Sequence, residues 1–150
     1  MVKAEQIKKL REESGVSVMI CKKALEEAEG DMGKALEIMR REGVQVAKKK
    51  ADRALKAGII DSYIHNNKQI GVLLEARSET DFVARNEEFQ LFVHNLAMHI
   101  AASDPIDIEA LLQQPYIKNP QITIGNYLSE MIQKFGENLE ISRFIRYNTL

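Results

Sequence analysis

Through the first 43 residues the apolar positions recur at helical spacing and stop at glycines. Ile7 and Leu10 precede Gly15; Ile20, Cys21, Ala24, Leu25 and Ala28 precede Gly30; Met32, Ala35, Leu36, Ile38 and Met39 precede Gly43. The pattern predicts three short helices, the second capped by Ser17 and the third by Asp31, each closed by its glycine. A bundle of about 40 residues has a marginal core, so its surplus apolar side chains are candidates for contact with a partner.

From Gly58 the period changes to two. Residues 59–65 and 68–77 predict a hairpin around Asn66 and Asn67, which tolerate the positive φ of a tight primed turn. In its second strand Ile70, Val72, Leu74 and Ala76 alternate with Gly71, Leu73, Glu75 and Arg77. Helical spacing then returns in Phe89, Phe92, Val93, Leu96, Ala97, Ile100 and Ala101, behind Asn86 as a cap and Glu87 and Glu88 in the first turn. Asp104 and Pro105 end that helix, and Ile108, Leu111 and Leu112 predict a short one. Pro115 and Pro120 interrupt, and Thr123 caps a helix carrying Leu128, Ile132 and Phe135 that closes at Gly136. Residues 139–147 predict a last strand with Leu139, Ile141, Ile145 and Tyr147 as its apolar set beside Arg143 and Arg146.

The fold class expected is α+β: a three-helix bundle over 1–43, a charged helical linker over 44–57, and a core domain over 58–150 with a three-stranded antiparallel sheet packed with helices. The adjacent pairs Ile59 and Ile60, Leu73 and Leu74, and Phe144 and Ile145 place apolar groups on both sheet faces. One helical layer covers one face, and no sequence remains for the other. A homodimer through that second face is therefore predicted.

One large apolar residue falls outside every periodic stripe. Phe82 stands in the run from Ser78 to Asn86, between strand and helix and beside Asp81. The plain reading is a local one, in which Thr80 caps a helical turn and the ring plugs the end of the hairpin. The functional reading is an aromatic beside a carboxylate, displayed for insertion into a partner.

The run 80–89 resembles the signature of the elongation factor Ts family, the nucleotide exchange factors of elongation factor Tu. Further resemblance lies in Leu10, Arg11, Glu12, Glu13, Ser14 and Gly15, in Cys21 to Leu25, in Leu111 to Pro115, and in Gly136, Glu137, Asn138, Arg143 and Phe144. Ser14, Val16, Ser17, Val18 and Ile20 depart from the family's usual residues, whereas Met19 agrees. The resemblance implies a ubiquitin-associated-like module over 1–43 and a short family form, in which two copies supply a symmetric core and engage two elongation factor Tu molecules. It implies exchange without covalent chemistry and without a cofactor. Thr80, Asp81, Phe82 and Val83 would form the loop that disturbs the partner's magnesium site, and Arg11, Gly15, Val16, Ser17, Val18, Met19 and Asn86 would bind the partner.

Composition narrows the alternatives. A net charge of −1 with 29% charged residues gives no global pull toward nucleic acid or an anionic membrane. Lys48, Lys49, Lys50, Arg53 and Lys56 against Asp52 are locally basic, but the stretch holds no aromatic for base stacking and reads as a solvated helix. A single cysteine excludes an internal disulfide and fits a reducing compartment, the cytoplasm. No apolar run approaches the roughly 20 residues that span a bilayer, and the charged N-terminus does not resemble a signal peptide. His65, His94 and His99 make no ligand set, Cys21 beside Lys22 and Lys23 suits a small buried side chain, and no phosphate loop or catalytic triad is visible. A small RNA-binding protein and a ubiquitin-associated-like adaptor are the competing classes.

Overall fold

A computed structural model describes residues 1–149. Helices α1 (Ala4–Ser14), α2 (Val18–Glu27) and α3 (Met32–Lys50) come first, then strands β1 (Ala57–Ile64) and β2 (Ile70–Ser78). A single turn α4 (Asp81–Ala84), the long α5 (Glu87–Ser103) and α6 (Ile108–Gln113) follow. The chain ends with β3 (Pro115–Tyr116), β4 (Asn119–Thr123), α7 (Ile124–Phe135) and β5 (Leu139–Asn148). The class is α+β, with N-terminal helices and an antiparallel sheet of order β1-β2-β5 packed against helices. Leu150, the last residue of the expected core domain, lies outside the described residues. Among the described residues no helix is long and apolar enough to cross a membrane.

Two apolar clusters form. Leu10, Val16, Cys21, Ala24, Leu25, Ala28, Ala35 and Met39 fill the N-terminal bundle. The larger cluster joins Val72, Leu74 and Ala76 of β2 to the α5 stripe, with Leu111, Ile124, Ile132, Leu139 and Ile141. The stripe of α5 is buried as its spacing predicts. The helix ends at Asp104 in the left-handed region, φ 48°. Arg146 of β5 completes that end, its guanidinium donating twice to the Ala101 carbonyl (2.9 and 3.1 Å), where a cation favours the negative helix terminus.

Three expectations are corrected. Gly43 does not end the third helix: α3 runs through it to Lys50 and the glycine is buried. A Cβ there would lie 3.1 Å from Gln133 Oε1 and 3.7 Å from the Ser129 carbonyl of α7, so the missing side chain serves helix-to-helix approach and not termination. The β1–β2 connection takes its positive φ at Lys68 (66°), not at Asn66 or Asn67. Lys68 N–H closes a turn onto His65 O, and Asn67 Oδ1 accepts from Gln69 N–H. The apolar set of β5 also divides. Glu75 pairs with Arg143 but Ala76 with Ile141, so Ser142 bulges out of the ladder and the side-chain alternation reverses. Leu139 and Ile141 are buried, whereas Ile145 and Tyr147 join Ile60, Ile64 and Leu73 as exposed apolar side chains. The small β3–β4 hairpin, in a stretch read only as interrupted by prolines, is an element the pattern did not predict.

Candidate functional site

The end of β2 delivers the chain into one helical turn. Thr80 has an extended backbone, and its Oγ1 accepts the Val83 N–H (3.4 Å), the ordinary way for a threonine to start a helix. A four-residue helix cannot stand alone against its nucleation cost. Burial supplies what it lacks: Val83 and Ala84 are each 2% exposed in the core. The turn therefore faces Asp81 and Phe82 outward, and the Phe82 ring is 82% exposed. It does not plug the hairpin end. Asn86 is occupied structurally, its Oδ1 accepting the Glu88 N–H (2.8 Å) to cap α5.

Below this turn three segments meet. Glu137 Oε1 accepts the backbone N–H groups of Glu79 and Thr80 (3.1 Å each), and its Oε2 accepts the Thr80 hydroxyl proton (2.7 Å). In return the Glu79 carboxylate accepts the Asn138 N–H and faces Arg53 at 3.6 Å. The Asn138 side-chain amide donates to the carbonyls of Ala51 (3.3 Å) and Arg53 (2.9 Å). Residue patterning missed these partners. The Gly136, Glu137, Asn138 motif was visible, but its contacts lie more than fifty positions away in the chain.

A second patch occupies the entrance to α2. Gly15 adopts φ 68° as the cap of α1, and Ser17 Oγ accepts the Ile20 N–H (3.4 Å). Arg11, Val18 and Met19 are exposed, Met19 to 81%. Val16 is different: at 5% exposure it belongs to the bundle core, and its carbonyl accepts from the Cys21 thiol. Any contribution from its side chain to a partner surface would be indirect. Lys134 of α7 links the two patches, crossing Gly15 so closely that a Cβ there would lie 2.6 Å from Lys134 Cε, and pairing with Glu88 at the start of α5. The Arg40–Glu130 pair (3.5 Å) joins bundle to core beside it, and burial raises the Glu130 pKa.

Other displaced ionisations lie away from the exposed turn. His99 is fully buried, its Nε2 on Gln114 Oε1 (2.9 Å) and its Nδ1 accepting the Ile117 N–H (3.3 Å); burial lowers its pKa. Tyr116 stacks on Tyr127, and its phenol is pushed up to about 12, first by burial.

Comparison with known proteins begins at this turn: the family model described as elongation factor TS matches residues 79–149. The elongation factor Ts of Alkaliphilus metalliredigens is 42% identical, over 97% of this chain and 88% of the relative. The chain belongs to the elongation factor Ts family. That of Acetivibrio thermocellus is 41% identical over 98% of this chain and 89% of its own length, and that of a Nostoc species 40% identical over 97% and 46%. As an elongation factor Ts family member the chain has a role in translation elongation. The Alkaliphilus match extends over 191 residues against the 150 of this chain, so part of the relative has no counterpart here.

Proposed function

We propose that this chain binds elongation factor Tu carrying GDP, disturbs the magnesium and nucleotide site of that partner, and so promotes GDP release and replacement by GTP. The observation that carries the reading is the Phe82 ring, exposed on a turn whose other face is locked into the core. Burying such a ring in a partner is worth about 1.5–3 kcal/mol, which corresponds to roughly 10- to 150-fold in a rate. Asp81 beside it supplies a negative charge that competes with the partner's ligands for the metal or its waters. Thr80 and Val83 shape the turn. Arg11, Gly15, Ser17, Val18 and Met19 form the anchoring surface, with Val16 supporting it from below and Asn86 holding the start of α5.

Reciprocity follows from linkage. If the chain weakens nucleotide binding by some factor, nucleotide weakens binding of the chain by the same factor, so GTP can displace it. No step forms or breaks a covalent bond in this chain, and none calls for a cofactor or for direct nucleic-acid contact. We read residues 1–43 as the anchoring module, 44–57 as its charged connector and 58–150 as the core domain, acting in the cytoplasm. The open sheet face, with Ile60, Leu73, Ile145 and Tyr147 exposed, is assigned to a second copy. Glu75 and Arg143 lie on that same face, 3.3 Å apart, so it carries both signs around an apolar centre and suits two-fold self-pairing. The adaptor and RNA-binding readings leave Asp81 and Phe82 without a task.

The test is release of fluorescent GDP from purified elongation factor Tu by stopped flow. Addition of the chain should accelerate release in a saturable way, and an unchanged rate at saturating chain would overturn the reading.

A further inference from the structure

The Gly136, Glu137, Asn138 motif has a place directly beneath the exposed turn. Strands β2 and β5 stop pairing at Ser78 and Leu139. Past that point the N–H groups of Glu79, Thr80 and Asn138 have no ladder partners, and of these the half-buried Glu79 and the buried Asn138 must find acceptors elsewhere. Two carboxylates take them crosswise: Glu137 accepts from Glu79 and Thr80, and Glu79 accepts from Asn138. Hydrogen bonds to an ionised carboxylate are about twice as strong as neutral ones. Through these bonds the two strand ends stay tied beyond the last ladder pair.

Glu137 also reaches the cap of α4. The Thr80 hydroxyl has one proton, and that proton goes to Glu137 Oε2 (2.7 Å). A lone pair of the same oxygen is thereby turned to the Val83 N–H. The rotamer that starts the turn is set by an acid 57 positions later in the chain. We propose that Glu137 is a positioning residue for exchange, holding the turn so that Phe82 is presented to the partner in one orientation. The inference rests on the exchange reading above and extends it to a residue that the exposed surface does not include. A turn free to wander would lose orientational entropy on each insertion, and a preformed one does not.

Two substitutions separate reach from charge. Glu137→Asp keeps the charge and withdraws the carboxylate by one methylene from its three donors. Glu137→Gln loses the charge and keeps a carbonyl oxygen for the two N–H groups, but its NH2 can only donate toward Thr80 Oγ1 and cannot accept the hydroxyl proton. At saturating chain, Glu137→Asp should slow stimulated GDP release by about tenfold or more, and Glu137→Gln, which keeps the acceptor for the two N–H groups but not the one for the Thr80 proton, should slow it by a smaller factor. In a Phe82→Ala background Glu137→Asp should cost nothing further, because its effect runs through the ring. Native-state amide exchange should quicken at Glu79, Thr80 and Val83 in Glu137→Asp, and at Val83 in Glu137→Gln. Parental rates in Glu137→Asp, or an equal loss in both backgrounds, would overturn the proposal. If Phe82→Ala itself leaves stimulation intact, the wedge reading fails, and the amide exchange still decides whether Glu137 holds the turn.

Discussion

Phe82 and Val83 are neighbours with opposite environments, one ring in solvent and one side chain in the core. Sequence pattern separated them because Phe82 matched neither the strand before it nor the helix after it. Pattern could not say that the ring points outward, since that depends on Val83 and Ala84 being gripped by a core assembled from distant segments. His99 teaches the same lesson from the interior. It looked like an unassigned helical histidine, and it is a buried neutral ring bridging Gln114 and the Ile117 backbone beside Tyr116. Its pKa lies below the ordinary 6.5 because burial disfavours the cation. The unfolded chain then takes up a proton that the folded chain refuses. The stability this contributes is fully present above pH 6.5 and is lost as pH falls below 6.5 toward the lowered value. Urea unfolding between pH 5 and 8 should show stability falling toward acid, with a shallower slope in His99→Gln. An identical slope in the variant would contradict the assignment.

Among the elements, those with long uninterrupted periods were legible: α5, β2 and α7 lie where spacing and caps put them. Pattern and structure part where one residue has two physical uses. Gly43 reads as a stop because glycine favours helix ends, yet here it permits α3 to cross α7 closely. A glycine inside a helix costs about 1 kcal/mol relative to alanine. Gly43→Ala should therefore be close to neutral in urea unfolding, the helix gain offset by displacement of the Gln133 side chain. Gly43→Leu should cost about 1–3 kcal/mol through overpacking, and a stabilised leucine variant would show that the helices are not in contact there. Ser142 could not be read as a bulge, since bulging depends on the partner strand. By alternation alone Ile145 and Tyr147 fall with Leu139 and Ile141, whereas the bulge puts them on the opposite face.

At the scale of the whole molecule, that reversal enlarges the open apolar face of the sheet and strengthens its assignment to a second copy. Leu73, half-exposed near the centre of that face, is the place to test it. Sedimentation should give a dimer at micromolar concentration, and Leu73→Lys should give a folded monomer; a monomeric parent chain would contradict the assignment. Bundle and core are joined by Lys134 over Gly15 and by the Arg40–Glu130 pair, so the proposed anchoring surface and the exposed turn are connected within one frame. The frame matters only if the ring does what its position suggests. The decisive measurement is the maximal rate of GDP release from elongation factor Tu at saturating concentrations of the parent chain and of Phe82→Ala, with thermal melting of both. The account predicts a fall of roughly 10- to 150-fold at an unchanged melting temperature. A folded Phe82→Ala variant that releases GDP as fast as the parent would contradict it.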